Sequence, residues 1–360
     1  MNELHLHQVF TYNDVDRAFW AEHLEDWVPR RLIDAHVHVN NPVFQIETVT
    51  EEMLRSSWVS EVNEKPTAAQ AERCAGITFP GREVRYVAFG HPDLGWEIEG
   101  SNEDLRIECL KRGWYTLIIP RPTWVAEQID WWLSKPGVLG VKPYYTLIGY
   151  SKDWHHGHLE ASIFDFLPHH QLEVLNEREA WITLHVPKSE RLGHPQNQKE
   201  IRELRRRYPK AKLVIAHLGR SYTKPHAEEG LLPLAEDPGI YFDHSAVLNP
   251  EVYLLALQHI GPERILFGTD NPIFYMRGRR QWEGRTYLNR TSYPFYFNKE
   301  REAPEIEAGY TLYMYEALKA LKDACIQLGL ARAQVERIFY ANARGLIDHI
   351  LARKGETAAS

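Results

Sequence analysis

Eight apolar runs punctuate the chain, at residues 31–39, 83–92, 115–120, 137–145, 180–186, 212–219, 239–247 and 264–270. Most are continuous in Val, Ile and Leu, which predicts parallel strands buried on both faces. Stretches of helical character separate them. Ser101 to Asp104 predict an N-terminal cap, with Gly113 as the stop, and Thr123 predicts the cap of the next helix. Residues 197–208 stop at Pro209, and residues 250–260 begin at Pro250 and stop at Gly261. Strand and helix alternating eight times predict an α/β fold, a (β/α)8 TIM barrel. A helix at 14–28 and two helices at 311–328 and 332–351 would extend its N- and C-termini. No repeat, low-complexity tract or Ser/Gly linker marks a boundary, so residues 1–360 are expected to form one barrel domain. Two connections are long for a compact domain, 146–162 after the fourth run and 271–309 after the eighth, and length there points to function.

Composition narrows the classes. With 44% hydrophobic residues and a net charge of −7, the chain can bury a core and is not a disordered one. A pI near 6.2 argues against a general nucleic-acid binder. No apolar run reaches the ~18 residues of a membrane span. The first residues lack the basic and apolar regions of a signal peptide. Cys74, Cys109 and Cys325 are scattered and form no CxxC, which fits a reducing cytoplasm and gives no thiolate metal site. The 18 histidines stand out and direct attention to metal or proton-transfer chemistry.

In the first run, Asp34, His36 and His38 alternate, so a strand places them on one face. Two imidazoles about 7 Å apart at the end of a strand can share one cation. His185, His217 and Asp270 each follow an apolar run, at the barrel edge where active sites are built. Buried polar groups there need partners, and their recurrence on several strands argues for one shared site. Three neutral imidazoles with a carboxylate suit zinc, with Mn, Fe, Co or Ni as alternatives. Such a cation acidifies water, and Asp270 could both hold the cation and accept the proton. His217 could polarise a scissile carbonyl, and Asp34 could orient a ligand imidazole. Lys142 ends the fourth run, where it could pair with a carboxylate or contact substrate. His91 and His244 end the second and seventh runs and could face the same mouth. Arg220 is placed for a substrate carboxylate or phosphate.

As an ordered set, His36-x-His38, His185, His217 and Asp270 resemble the amidohydrolase superfamily. The segments "IAHLG" (215–219), "ILFGTD" (265–270) and "IFYANARGLI" (338–347) are similar to its amidohydrolase-related branch, which includes aminocarboxymuconate-semialdehyde decarboxylase and related hydrolases and lactonases. The resemblance covers roughly residues 31–350. It implies one divalent metal held by His36, His38, His185 and Asp270, with His217 contacting substrate. It also implies that Lys142 could be carboxylated and bridge a second metal. The activity implied is hydrolysis of a lactone, ester or amide, or, on the same site, a lyase reaction such as decarboxylation or hydration.

Residues 277–299 carry five Arg and one Lys against one Glu, and eight aromatic rings lie between Phe274 and Phe297. Leaving the barrel beside Asp270, this segment could close over a small anionic or cyclic substrate through Arg277 and its neighbours. It could equally be a subunit contact, so a homo-oligomer, in the simplest case a dimer, is expected. Nucleic acid is the weakest of its readings. The run His155-His156-Gly157-His158 matches no ligand spacing and is expected in a lid or surface loop.

Overall fold

The computed structural model describes residues 3–7, 9–56, 58–62, 65–149 and 158–357. All eight apolar runs form strands: β1 (Arg31–His38), β2 (Glu83–Phe89), β3 (Tyr115–Ile118), β4 (Val138–Val141), β5 (Trp181–Leu184), β6 (Lys212–Ile215), β7 (Ile240–Asp243) and β8 (Ile265–Leu266). They pair in parallel and in chain order. The ring closes between β8 and β1. There Ala35 N–H donates to the Phe267 carbonyl at 2.9 Å, Asp270 N–H to His36 at 2.8 Å, and His38 N–H to Asn271 at 2.8 Å. The result is a (β/α)8 barrel. Leu117, Leu139, Ile182, Leu184 and Leu213 have no exposed surface. Full burial of each such side chain contributes about 2 kcal/mol. Gly140 lets β4 and β5 approach, since a Cβ there would lie 1.8 Å from the Trp181 carbonyl oxygen.

Helices α1 (Ala68–Thr78), α2 (Ile98–Lys111), α3 (Ala126–Ser134), α4 (His169–Glu177), α5 (Pro195–Arg207), α6 (Lys224–Gly230), α7 (Pro250–His259) and α8 (Tyr313–Gln327) alternate with the strands. Helix α2 starts earlier than its sequence signal. Glu97 is its cap, and Asn102 lies inside it, exchanging hydrogen bonds with the Ile119 backbone. Likewise α3 begins after Val125, not at Thr123, its start closed by Gln128. The last helix carries a five-residue π-turn, Arg337–Ala341, before α9 (Asn342–Lys354). The N-terminal helix is shorter than expected, Asp14–Phe19 followed by a π-turn over Trp20–Leu24. A small antiparallel hairpin, Leu4–His7 with Phe10–Tyr12, precedes it.

The 271–309 segment is not a bare loop. It folds into the antiparallel hairpin β9 (Gly278–Glu283) and β10 (Thr286–Thr291). Arg277, at its base, is buried and reaches Asp16 at 2.6 and 2.9 Å, and the carbonyls of Tyr310 at 2.8 Å and Thr11 at 3.0 Å. It therefore fastens the N-terminal segment to the barrel and is not among the residues that line the cleft. These partners lie over 200 positions away or outside the segment, so its local composition could not reveal them. No helix is long and apolar enough to cross a membrane among the described residues. The three cysteines are buried, and no disulfide joins them.

Candidate active site

His36 and His38 stand on β1, and Asp270 follows β8 directly across the closing seam. Asp270 Oδ1 is 3.5 Å from both His36 Nε2 and His38 Nε2. Asp270 holds a left-handed φ of +60°, and His217 after β6 one of +56°, a conformation side-chain-bearing residues adopt only when their surroundings impose it. At Asp270 the constraint is the seam. Its N–H bonds to His36, and the neighbouring Thr269 donates its N–H (3.0 Å) and hydroxyl (2.6 Å) to buried Asp34. Asp34 thus ties β8 to β1. It does not orient a ligand imidazole, because β1 carries an irregularity between Asp34 and Val37 that interrupts simple alternation. Gly268 completes the close approach, since a Cβ there would sit 2.8 Å from the His36 Cβ.

The imidazole that Asp34 was expected to orient is instead held by Asp243, a fully buried carboxylate at the end of β7. Its Oδ2 accepts from His36 Nδ1 at 2.9 Å. Its Oδ1 accepts from the N–H of His217 (3.0 Å), the N–H of Ser245 (3.2 Å) and the Ser245 hydroxyl. Burial would raise this carboxyl, but His36, His217 and Ser245 together hold it well below the ordinary range.

These bonds assign the protons. In neutral His36, Nδ1 carries the hydrogen donated to Asp243, so Nε2 presents a lone pair. His38 Nδ1 faces the Gly90 carbonyl at 3.3 Å, which again leaves a lone pair on Nε2. Burial lowers His38, favouring its neutral form. Two lone pairs and a carboxylate oxygen therefore face one another with no proton among them. That arrangement is repulsive unless a cation lies between them, and these three residues form a compact ligand-atom cluster. The donor set fits a divalent metal. His36, His217 and Asp243 also cluster, but there a proton already bridges His36 and Asp243.

His217 follows the same logic. Its Nδ1 lies 2.9 Å from the Ser245 hydroxyl oxygen, whose proton goes to Asp243, and 3.2 Å from the Ser245 carbonyl. Both partners accept, so Nε2 is bare. Burial pushes His217 down to about 3. Burial thus keeps His217 neutral and weakly basic, and its bare Nε2 faces the cleft as a hydrogen-bond acceptor, not as a donor to a carbonyl. His185 lines the same cleft, with Nε2 3.4 Å from the Tyr144 hydroxyl and Nδ1 buried without a partner among the described residues. It stands 5.2 Å from the His217 ring but outside the compact cluster of His36, His38 and Asp270.

Lys142 lies in the cleft wall, 1% exposed, its ammonium without a hydrogen-bond partner among the described residues. Burial pulls it down to about 8, against the attraction of Asp243 and Asp270. His91 also lines the cleft, against the Trp96 ring. His244 does not. It alternates with inward-facing Asp243 and packs against Phe267 and Tyr253, whose hydroxyl is 3.3 Å from its Nδ1. Arg220 donates to the carbonyls of Val186 (3.3 Å) and Lys188 (2.9 Å) and is not among the residues that line the cleft. The arginine that reaches the cleft is Arg280. Trp58, Tyr144, Tyr145, Tyr222 and Phe274 supply aromatic walls to a cleft of about 1020 Å³, open mouth included. Of the His155-His156-Gly157-His158 run, only His158 lies within the described residues, where it meets the Gly149 carbonyl.

Sequence reasoning missed Asp243, although it closes the apolar stretch Ile240–Phe242 just as His217 closes its own.

Solved structures of similar fold span nearly the whole chain. They include 5-carboxyvanillate decarboxylase from Sphingomonas paucimobilis (TM-score 0.52, 12% identity, covering 88% of this chain and 99% of that one). Another is a probable 2-pyrone-4,6-dicarboxylic acid hydrolase from Acinetobacter baumannii with citric acid bound (0.54, 13%, 88% and 98%). A third is 2,6-dihydroxybenzoate decarboxylase complexed with 2,6-dihydroxybenzoate (0.53, 16%, 89% and 99%). At such identities they speak for the fold. No curated protein sequence matches the chain. The amidohydrolase family profile matches residues 33–348, a span that holds both the barrel and every residue of the cluster, and the chain belongs to that family.

Proposed function

We propose that the chain is a metal-dependent hydrolase that cleaves the C–O or C–N bond of a small anionic, cyclic substrate such as a lactone, ester or amide. The observation that carries this reading is the set of bare lone pairs on His36, His38 and Asp270, wired by Asp243 and Gly90, beside the bare Nε2 of His217. His36, His38 and Asp270 would hold the cation, zinc by ligand preference with Mn, Fe, Co or Ni as alternatives, and His185 is the nearby imidazole that could join them. When bound, the cation supplies Lewis acidity toward water and a carbonyl. The remaining work falls to the chain. Asp270 carries the proton of the attacking water to the leaving oxygen or nitrogen, and the bare Nε2 of His217 accepts a hydrogen bond that orients that water. The unpartnered Lys142 ammonium counters negative charge on the substrate. Tyr144, Tyr145 and Phe274 flank a ring and exclude bulk water.

Decarboxylation is the second reading. It is favoured by the same aromatic walls, which suit a flat ring, and by the two aromatic-acid decarboxylases among the structures of similar fold. Turnover of a lactone, ester, amide and aromatic-carboxylate panel in H2 18O separates them. Label in the product is expected, and CO2 release without label would replace hydrolysis by the lyase. No turnover of any member by protein carrying a full equivalent of zinc would refute both.

A further inference from the structure

The arginines of the hairpin region are mostly neutralised. Arg277 pairs with Asp16, Arg279 with Glu302, Arg285 with Glu190 and Glu229, Arg290 with Glu300, and Arg301 with Glu307. Arg280 is the exception. It is buried, lines the cleft, and has no carboxylate within 4 Å among the described residues. Two half-buried arginines outside the cleft lining, Arg191 after β5 and Arg220 after β6, likewise have no carboxylate within 4 Å among the described residues.

Two tyrosines draw Arg280 and Arg191 together. The Arg280 guanidinium lies 5.2 Å from the Tyr222 ring centre and 4.6 Å from that of Tyr287. Arg191 lies 5.2 and 5.7 Å from the same two rings. The rings meet edge to face at 5.3 Å. Arg220 feels Tyr144, Tyr145, Tyr222 and Tyr287 and, in turn, acts on Arg191. Burial, with the charges of Arg220 and Arg280, holds Arg191 below its ordinary value. Ring faces attract cations but carry no charge, so they do not cancel the mutual repulsion of three guanidinium groups in a partly desolvated place.

The unused donors are specific. Among the described residues Arg191 Nε is buried without a partner, and Nη1 of the same group meets the His226 ring. Arg280 spends Nε on Asn289 (2.9 Å) and Nη1 on the Ala246 carbonyl (2.9 Å), which leaves Nη2. Arg220 spends Nη1 on two carbonyls, which leaves Nε and Nη2. Arg191 and Arg220 also hold left-handed φ angles of +59° and +61°, so the backbone is constrained where it presents them.

We infer that Arg191, Arg220 and Arg280, framed by Tyr222 and Tyr287, form a recess for a non-reacting oxyanion of the substrate, a carboxylate or phosphate group set apart from the bond that is cleaved. The inference rests on the proposed hydrolase reading for the word substrate, since Arg280 and Tyr222 line the cleft that holds His36, His38 and Asp270. It narrows the substrate to molecules with an anchoring anion at one end and the scissile group at the other. Planar guanidinium forks suit either oxyanion.

Calorimetric titration of the full-length, zinc-loaded protein with orthophosphate and, separately, with succinate provides the test. Saturable binding of at least one is expected, and the tighter of the two identifies the phosphate or carboxylate class. Arg191→Gln and Arg280→Gln are each expected to weaken it at least tenfold, Arg280→Lys less than Arg280→Gln, and the surface control Arg279→Gln not at all. Circular dichroism confirms that each variant is folded at the titration temperature. Absence of saturable binding for both anions, or binding unchanged in folded Arg191→Gln and Arg280→Gln, overturns the recess. Zinc content is read on the same samples. Protein that holds zinc but ignores both anions refutes the recess alone, whereas protein that binds an anion through these arginines but takes up none of zinc, Mn, Fe, Co or Ni refutes the hydrolase reading alone.

Discussion

Asp243→Asn tests the proton wiring on which the cation site depends. The substitution keeps the shape of the side chain and one acceptor oxygen. Three donors converge on Oδ1, namely the N–H groups of His217 and Ser245 and the Ser245 hydroxyl, so the amide oxygen is expected to stay on that side. Its NH2 then faces His36 Nδ1, where the native carboxylate accepted at 2.9 Å. Two donors cannot face each other, so His36 shifts its hydrogen to Nε2. There it points at Asp270 Oδ1, 3.5 Å away, and satisfies the carboxylate without a cation. Loss of a group that orients a ligand histidine typically costs 10- to 100-fold in metal affinity, about 1.4 to 2.7 kcal/mol at ~1.36 kcal/mol per decade. Competition with a chromophoric chelator measures zinc affinity for the parent and the variant, and circular dichroism establishes that both are folded. A folded Asp243→Asn protein whose zinc affinity stays within about threefold of the parent would refute the tautomer argument.

Two other substitutions probe groups that the fold treats very differently. Lys142→Met removes a buried, unpartnered ammonium. The folded value near 8 lies below the ordinary 10.5, so the unfolded chain binds the extra proton between those values. The charge therefore costs the parent stability below pH 8, and that cost fades as pH rises to 10.5. Metal-free Lys142→Met is expected to exceed the parent by roughly 3 kcal/mol in urea denaturation at pH 7, with the gap closing toward pH 10.5. Equal stability at pH 7, or a gap independent of pH, would contradict this. Arg277→Met leaves the fully buried Asp16 carboxylate without its cation and is expected to cost about 3 to 5 kcal/mol in the same assay. A loss below about 1 kcal/mol would mean that this ion pair does not fasten the N-terminal segment.

The barrel was legible because its signal is local and repeated. A strand buried on both faces needs an uninterrupted apolar run, and each run announces itself without knowledge of its neighbours. His36, His38, His217 and Asp270 were legible for a related reason, as polar residues interrupting or closing such runs. Helix starts were less so. At α2 the capping-type residues Ser101 and Asn102 are spent inside the helix, and Asn102 pairs with Ile119 on the next strand. At β7 the run ended in two adjacent polar residues, and only the direction of each side chain separated Asp243, which wires the site, from His244, which packs against Tyr253.

The basic segment shows the same boundary from the other side. Its composition announced an excess of positive charge, but charge acts through space, and the neutralising carboxylates come from Asp16, Glu190, Glu229 and the stretch beyond residue 299. By itself, then, the order of residues determined the barrel, its parallel strands and most of the chemical groups at their ends. Tertiary structure alone decided which nitrogen of each histidine carries a proton, which arginines are left without a counter-ion and which carboxylate governs His36. Each of those depends on a partner brought within hydrogen-bond distance from a remote part of the chain, and no local pattern encodes that distance.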